Sequence, residues 1–348
     1  MQSIRIRNRF LLRSLCVGAP LAVVLAAAVP LSLAHTEDEF EQKIDGDNGD
    51  NVLVGGDERD HIRGLGGDDT IDGKDGHDHL VGGDGNDTIQ GGDDGDDIKG
   101  DDGDDTIDGG DGDDVIHGGF GNDTIDGGDG NDDINGSQHN DIINGGGGND
   151  TIASGEGGGV VHGHAGNDTI TTHRGNDLVD AGSGNDTIHV GPDNCFIITG
   201  PGRDSVHFAA ASLNGTDHDN PDAGKTRIAD LGRGDTINLA GVSAGQITLE
   251  ETAMPDNKGG ALAGCTFTRV LVDGDEQFVI LHLTPRDLVV ANGRGPAASA
   301  TIALKPDAND PASPVGPVMN TPPQREPAGG GRDRLPTVPG SDRGGRGR

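Results

Sequence analysis

A nine-residue repeat runs from Gly46 to His207 without insertion or deletion, which gives 18 consecutive units. The eighth position of every unit is Leu, Ile or Val, the sixth is Asp in 15 units, and the fourth is Gly in 14. The three units without the sixth-position aspartate carry Asn51, Gly159 or Cys195 there instead. Because a shift of one residue would disrupt all three columns, this period constrains the fold more than any other feature of the 348-residue chain.

Each unit combines a short strand with a glycine-rich turn. In Thr124-Ile125-Asp126 the middle side chain points to one face of a strand, and its two neighbours point to the other. The preceding residues 118–123 (GGFGND) are typical of tight turns that need positive φ. Two units make one circuit of a flattened coil, with parallel strands about 4.8 Å apart and the aliphatic column inside. The repeat therefore predicts an all-β fold, a parallel β-roll solenoid of 18 nonapeptide units in about nine coils over residues 46–207.

Such a coil combines a thin interior with a large negative charge. Residues 46–207 carry 38 acidic and 6 basic side chains, a net charge of −32, so nucleic acid and anionic lipid are repelled and cations are attracted. One aliphatic side chain in nine residues buries too little surface to offset the entropy of ordering glycine-rich turns. Stacked aspartates and turn carbonyls offer an all-oxygen cage, which suits calcium better than magnesium, because magnesium demands near-ideal octahedral geometry and retains its water. Calcium is therefore predicted to replace the missing core.

The unit resembles the GGxGxDxUx nonapeptide of the RTX family, most closely at residues 82–90 (GGDGNDTIQ), 109–117 (GGDGDDVIH), 118–126 and 127–135. This resemblance implies a parallel β-roll that binds several calcium ions, with turn carbonyls completing each site. It also implies that the 15 sixth-position aspartates are calcium ligands: Asp60, Asp69, Asp78, Asp87, Asp96, Asp105, Asp114, Asp123, Asp132, Asp141, Asp150, Asp168, Asp177, Asp186 and Asp204.

Units near the end of the array depart from this pattern. Residues 154–162, 172–180 and 190–198 lack the first-position glycine, and the first and third of these units also lack the aspartate. We therefore expect the best calcium sites between residues 64 and 135.

The chain divides into five segments. Residues 1–34 are predicted to be a signal peptide, 35–45 an acidic linker and 46–207 the β-roll. In residues 208–290, the stretches 226–242 and 268–283 alternate apolar and polar residues around Gly-Asp turns, which predicts a small β-rich cap. This segment is similar to the one that follows RTX arrays in secreted proteases and epimerases, where it closes the open end of the roll. Residues 291–348 are rich in Pro, Gly and Arg without periodicity, and are predicted to be a disordered tail.

The N-terminus has the pattern of an export signal. Four arginines between residues 5 and 13 precede an apolar run from Val17 to Leu33, and small residues suit cleavage after Ala34. The alternative is an uncleaved membrane anchor, but Pro20 and Pro30 interrupt the apolar run. No later segment is long and apolar enough to span a membrane. We expect a secreted or cell-surface protein, with the periplasm as a further location left open.

Three patterns that suggest an enzyme are weak here. Residues 241–245 match the GxSxG pattern of hydrolases, but a strand rather than a helix is predicted to follow. His162 and His164 belong to no compact zinc-ligand set, and the sequence lacks the HExxH motif. Only eleven residues separate Ala34 from Gly46, too few for a catalytic or membrane-lytic domain. We expect that the protein is not an enzyme.

Two further features are left open by the sequence. Cys195 and Cys265 could form a disulfide between the array and the cap, or could both remain free and buried. Thr70, Thr88, Thr106 and Thr124 recur every 18 residues and should stack on one outer face. High β-propensity explains this column, and a flat ladder for a polysaccharide or for ice is the alternative. Ice binding is the weaker of these, because it would favour threonine in the turns, where this chain has aspartate.

These observations favour a secreted, non-enzymatic calcium-binding repeat protein that folds when it meets calcium outside the cytoplasm. The main alternative is a carbohydrate-active or polysaccharide-binding protein, which would need an aromatic platform or a basic groove in a chain without Trp or Tyr. An adhesin or matrix component on the cell surface is a third reading, and the sequence does not separate it from the first.

Overall fold

The computed structural model describes residues 42–209, 226–253, 266–281, 283, 286–292 and 299–305. These residues form 26 strands and one short 3-10 helix, Ala244–Gln246. The strands are β1 Gln42–Asp45, β2 Val52–Val54, β3 Asp60–Gly66, β4 Thr70–Asp75, β5 His79–Asp84, β6 Thr88–Asp93, β7 Asp97–Asp102, β8 Thr106–Asp111, β9 Val115–Phe120, β10 Thr124–Asp129, β11 Asp133–Gln138, β12 Ile142–Gly147, β13 Thr151–Ala153, β14 Val160–Ala165, β15 Thr169–Thr171, β16 Leu178–Asp180, β17 Thr187–Val190, β18 Phe196–Ile198, β19 Ser205–Phe208, β20 Thr226–Ala229, β21 Thr236–Ala240, β22 Ile247–Ala253, β23 Thr266–Val272, β24 Asp275–Leu281, β25 Leu288–Asn292 and β26 Ser299–Leu304.

The strands lie in two sheets that alternate along the chain. The odd sheet has the order β1-β3-β5-β7-β9-β11-β13-β15-β17-β19-β21-β26-β25, and the even sheet has the order β2-β4-β6-β8-β10-β12-β14-β16-β18-β20-β24-β23-β22. Within the repeat, neighbouring strands of one sheet are parallel and offset by 18 residues, as in the pairing of Ile125 with Ile107 and with Ile143. The predicted all-β parallel roll, with two units in each coil, is therefore confirmed.

The aliphatic column forms the core between the two sheets. All 18 eighth-position residues are buried, from Leu53 to Val206, and none has more than 2% of its surface exposed. Ile44 pairs with Ile62 before this column, and Ile228 and Ile237 pair with Ile197 and Val206 after it. The roll thus begins one strand before residue 46 and continues for two strands after residue 207, so the predicted linker 35–45 contains part of the first coil.

Antiparallel strands continue both sheets after the roll. In the even sheet β24 is parallel to β20, and β23 and β22 follow it as an antiparallel meander. In the odd sheet β26 is antiparallel to β21, and β25 pairs with β26. Phe208 of the odd sheet and Phe278 of the even sheet stack with ring centroids 4.5 Å apart, which joins the two sheets at this end.

The boundary predicted between the cap and the tail needs correction. β25 runs through residue 290 to Asn292, and β26 lies wholly within the predicted tail 291–348. In β26 half-buried residues alternate with Ala300 and Ile302, which are fully buried against the core. This short alternation was hidden by the Pro- and Gly-rich sequence around it, and residues 299–305 do not belong to a disordered tail.

Other predictions fall on residues outside those described. The signal peptide 1–34, Cys265 and residues 306–348 lie there. Within the described ranges, no helix has the length and apolar character that a membrane crossing requires.

Candidate metal centres

The 15 sixth-position aspartates lie where each turn enters its strand, and all are buried, with at most 3% of their surface exposed. Since consecutive units alternate between the sheets, these aspartates form two stacks along the roll. The first edge carries Asp60, Asp78, Asp96, Asp114, Asp132, Asp150, Asp168, Asp186 and Asp204. The second edge carries Asp69, Asp87, Asp105, Asp123, Asp141 and Asp177.

One oxygen of each carboxylate ties neighbouring coils together. The Oδ1 atom of each of the 15 aspartates accepts a hydrogen bond from the backbone N–H of the residue 18 positions earlier. The N···O distances lie between 2.7 and 3.1 Å. Asp96 N–H, for example, donates to Asp114 Oδ1 over 2.7 Å. This oxygen is therefore committed to the backbone of the roll.

The other oxygen is buried without a partner in 13 of the 15 aspartates. Among the described residues nothing donates a hydrogen bond to the Oδ2 atom of any aspartate of the set except Asp60 and Asp177. Burial raises the pKa of these carboxyls, to about 8 for Asp96 and to about 7 for Asp105, Asp132, Asp141, Asp168 and Asp204. An ionised oxygen buried without compensation is unfavourable, so each of these positions fits a bound cation.

The first-position glycines leave room for that cation. A Cβ atom added at Gly127 would lie 2.5 Å from Asp132 Oδ2 and 2.5 Å from the carbonyl oxygen of Gly145. Two hard oxygen donors from neighbouring coils therefore converge on the space beside this glycine, and a side chain there would fill it. We call this space beside a first-position glycine a cradle. Within the described ranges no three His, Cys, Asp or Glu side chains come together as a metal site. The further oxygen that the structure places beside Asp132 Oδ2 is a main-chain carbonyl, that of Gly145, and carbonyl oxygens suit calcium.

Two predicted ligands have no unused oxygen. Asp60 Oδ2 accepts a hydrogen bond from Gly56 N–H over 2.6 Å. Asp177 Oδ2 accepts hydrogen bonds from Ser154 Oγ at 3.4 Å and from Cys195 Sγ at 3.9 Å. Among the predicted ligands, Asp60 and Asp177 are therefore the two that the structure supports least.

Asp177 belongs to a cluster that replaces the metal cradle on the second edge. Ser154 and Thr172 occupy first positions, where most units have glycine, and Cys195 occupies a sixth position. Cys195 Sγ also contacts Thr172 Oγ1 at 3.5 Å, and Thr172 Oγ1 accepts from Gly191 N–H at 2.9 Å. We call Ser154, Thr172, Asp177 and Cys195 the plug.

The plug bears on two expectations drawn from the sequence. Partnerless carboxylate oxygens end at Asp141 on the second edge but continue to Asp204 on the first, well beyond the range 64–135. Within the described part of the chain Cys195 forms no disulfide, and burial raises the pKa of its thiol to about 11. Cys265 lies outside the described residues, so its pairing with Cys195 stays a prediction.

Two structural features were not found from the sequence. Asp235 continues the first edge, because its Oδ1 accepts from Asp204 N–H at 2.9 Å, but the step is 31 residues rather than 18. The residues GDTIN at 234–238 repeat the second half of the unit and could have revealed it. Asp235 Oδ2 accepts from Gly232 N–H at 2.6 Å, so this carboxylate resembles Asp60 more than the partnerless ones.

The second overlooked feature is a ladder formed by the fifth-position residues. Asn131 N–H donates to Asp113 Oδ1 at 2.7 Å, and Asn149 N–H donates to Asn131 Oδ1 at 2.9 Å. Here the donor follows its acceptor by 18 residues, whereas the sixth-position donor precedes it. The hydrogen bonds from Asn131 lower the pKa of Asp113. Turns with Asp or Asn at the fifth position are thus bonded to a neighbouring coil independently of any metal.

The remaining sequence motifs show ordinary structural roles. Thr70, Thr88, Thr106 and Thr124 are in register on the even sheet, as predicted. Ser243, the serine of the GxSxG pattern, donates from its Oγ to Gln246 Oε1 at 2.8 Å and precedes the 3-10 helix. That the threonine column binds a polysaccharide or ice stays an untested alternative.

A comparison with protein families matches the repeat. The family model of the RTX calcium-binding nonapeptide repeat is found at residues 45–80, 72–107, 90–125, 117–152, 126–161 and 154–188. No curated protein matches the chain.

Proposed function

Because residues 45–188 belong to the RTX calcium-binding nonapeptide repeat family, we propose that this calcium-binding repeat protein acts outside the cytoplasm, where calcium drives its roll to fold. The proposal assigns it a structural, surface or interaction role rather than catalysis. Its working sites are the cradles beside the first-position glycines, and its cofactor is a set of calcium ions.

The observation that carries this proposal is the set of 13 buried carboxylate oxygens without a partner. At low calcium these charges disfavour the coiled state, because each must be buried unpaired or become protonated. A ligand that binds the folded chain and not the unfolded chain stabilises folding in proportion to its concentration. A chain kept open inside the cell and closed outside it would suit export.

Two further features support an extracellular role. RTX repeat proteins are typically secreted, and the arginines and apolar run before residue 34 have the pattern of an export signal. The sixth-position aspartates are committed to backbone contacts and cradles, so they are poorly placed to act on a substrate. These points support the proposal and leave the identity of any partner open.

The test is a calcium titration of the purified chain followed by far-UV circular dichroism, with magnesium at the same concentrations as the control. We expect a β spectrum with calcium and a largely unordered spectrum with magnesium or with chelator. Native mass spectrometry should count more than two bound ions, up to one for each of the 13 partnerless oxygens. A full β spectrum in excess EDTA, or two ions or fewer, would contradict the proposal.

A further inference from the structure

The outer face of the odd sheet contains a trough of about 690 Å³, whose lining includes the first-position glycines Gly82 and Gly118. It crosses the five neighbouring strands β3, β5, β7, β9 and β11, and so runs along the roll for roughly 19 Å at the usual spacing between strands. This volume lies in the range of sites for small ligands.

The floor of the trough follows from the geometry of the turns. The second-position residues Leu65, Gly83, Asp101, Gly119 and Ser137 are in register, and all have positive φ. Side chains therefore alternate with glycines along the floor. Each glycine leaves a gap between side chains two strands apart, roughly 10 Å, which is wide enough for one six-membered ring.

The two walls of the trough carry opposite charges. On one side the ninth-position residues Arg63, Val81, Lys99 and His117 are in register. On the other side stand the third-position residues Asp84, Asp102, Phe120 and Gln138. Hydrogen-bond donors thus face acceptors across a floor of backbone and glycine.

Phe120 is the one phenylalanine among the residues that line the trough. Its side chain is 52% exposed, in a column where the neighbouring strands place Asp84 and Asp102. Phe120 is thus an aromatic residue open to solvent on an acidic, glycine-rich surface, where a ligand can reach it. Phe120 therefore offers an exposed aromatic ring in a chain that has no Trp or Tyr.

We propose that this trough binds an elongated, uncharged oligosaccharide, with a sugar ring packed on Phe120 and hydroxyl groups bonded to both walls. A sugar hydroxyl both donates and accepts, so it can use Lys99 on one side and Asp102 on the other. The C–H groups on one side of a sugar ring pack against the negative face of an aromatic ring.

The charges that line the trough favour an uncharged oligosaccharide over an anionic one. The lining contains three carboxylates, Asp84, Asp101 and Asp102, against the cations Arg63 and Lys99. Both cations already form exposed ion pairs, Arg63 with Asp45 at 2.7 Å and Lys99 with Asp97 at 3.2 Å. Exposed pairs contribute little to stability, so Arg63 and Lys99 can turn to a neutral ligand at small cost. A uronate polymer would be repelled by the negative charge of the whole roll.

This inference rests on the proposed function, because the trough exists only when the roll is folded. The test is isothermal titration calorimetry of the calcium-saturated full chain with cellohexaose, xylohexaose and mannohexaose, and with hexagalacturonate as the charged comparison. We expect at least one neutral hexaose to bind, and hexagalacturonate to bind at least tenfold more weakly. Circular dichroism of the same samples keeps a failure to fold distinguishable from a failure to bind.

Two variants locate the site. Phe120→Ala should weaken binding at least tenfold, whereas Ile142→Ala, which removes a side chain 47% exposed on the even sheet, should leave it unchanged. Both residues are exposed, so neither change should alter the β spectrum. The proposal is overturned if a folded, calcium-loaded chain binds none of the neutral hexaoses, if hexagalacturonate binds more tightly, or if Phe120→Ala binds like the wild type.

Discussion

A sixth-position aspartate does two jobs in this chain, one with each oxygen. The Oδ1 atom holds the backbone of the previous coil, and the Oδ2 atom is left for a cation unless a neighbour occupies it. Asp114 and Asp177 differ in only this second respect. The first has a partnerless Oδ2, and the second is hydrogen-bonded to Ser154 and Cys195. The sequence assigns both as ligands and ranks Asp177 lower only because its unit, 172–180, lacks the first-position glycine.

The difference between these two aspartates can be measured with a matched pair of substitutions. We expect Asp114→Asn to lose one calcium ion, because the amide keeps the Oδ1 hydrogen bond to Asp96 N–H but removes the charge. Asp177→Asn removes the same charge inside the plug and should lose none. Native mass spectrometry at saturating calcium gives both counts. Equal losses from the two variants would mean that the plug is itself a metal site.

A glycine at the first position matters as much as the aspartate. We expect Gly127→Ala to reduce the ion count by one and to raise the calcium concentration at the folding midpoint, since the added Cβ would occupy the space between Asp132 Oδ2 and the Gly145 carbonyl. The comparison is Gly245→Ala in the cap, where an added Cβ has no atom within 4 Å. Calcium titrations of both variants by circular dichroism check this. A normal ion count in Gly127→Ala would place the cation elsewhere.

At the scale of strands, the roll and the cap share their sheets. β26 covers β21 in the odd sheet, and Ile302 pairs with Ile237. Without β26, the edge of β21 and the apolar side chains beneath it would meet solvent, and an uncovered strand edge promotes aggregation.

Truncation tests the corrected boundary of the cap. A chain that ends at Lys305 should melt, in calcium, within a few degrees of the full-length protein. A chain that ends at Ala298 lacks β26 and should melt at least about 5 °C lower or aggregate, because it loses the buried side chains Ala300 and Ile302. Differential scanning calorimetry compares the three chains. Identical melting of the two truncated chains would show that β26 adds nothing to the fold.

Elements that obey the period were predictable, and those that leave it were not. The column from Leu53 to Val206 keeps the same nine-residue spacing throughout, which is why strand register and the stacking of the aspartates could be predicted from it. The plug could not be predicted in this way, because Ser154 reaches Asp177 across 23 residues and only the folded side chains bring them together. Asp235 was not predicted as part of the first edge because 31 residues, rather than 18, separate it from Asp204. That calcium occupies the cradles stays a prediction.

At the scale of the whole molecule, the negative charge of the buried aspartates disfavours the folded state when calcium is absent. Burial raises the pKa of the partnerless aspartates, so the folded, calcium-free chain binds more protons than the unfolded chain. An acid with a raised pKa in the folded state stabilises folding at low pH. That contribution is lost as pH rises from about 4, the ordinary aspartate value, towards about 8, the value for Asp96.

The expected outcome is a pH dependence that changes sign with calcium. In calcium-free buffer the β signal at 25 °C should increase as pH falls from 8 to 5. With calcium present, folding should instead weaken as pH falls, because protons and calcium compete for the same oxygens. Circular dichroism across this range, with and without calcium, gives both trends. A calcium-free β signal that grows with rising pH would contradict the burial of these carboxyls.

The offset of 18 residues between paired strands also limits how a gene for such a protein can grow. Duplicating two units inserts one whole circuit and leaves every later strand on the side it occupied before. Duplicating a single unit moves every later strand of the roll to the other sheet. β20 and β21 would then lie beside the wrong strands at the C-terminal end. Length variants that remain functional should therefore differ by even numbers of units.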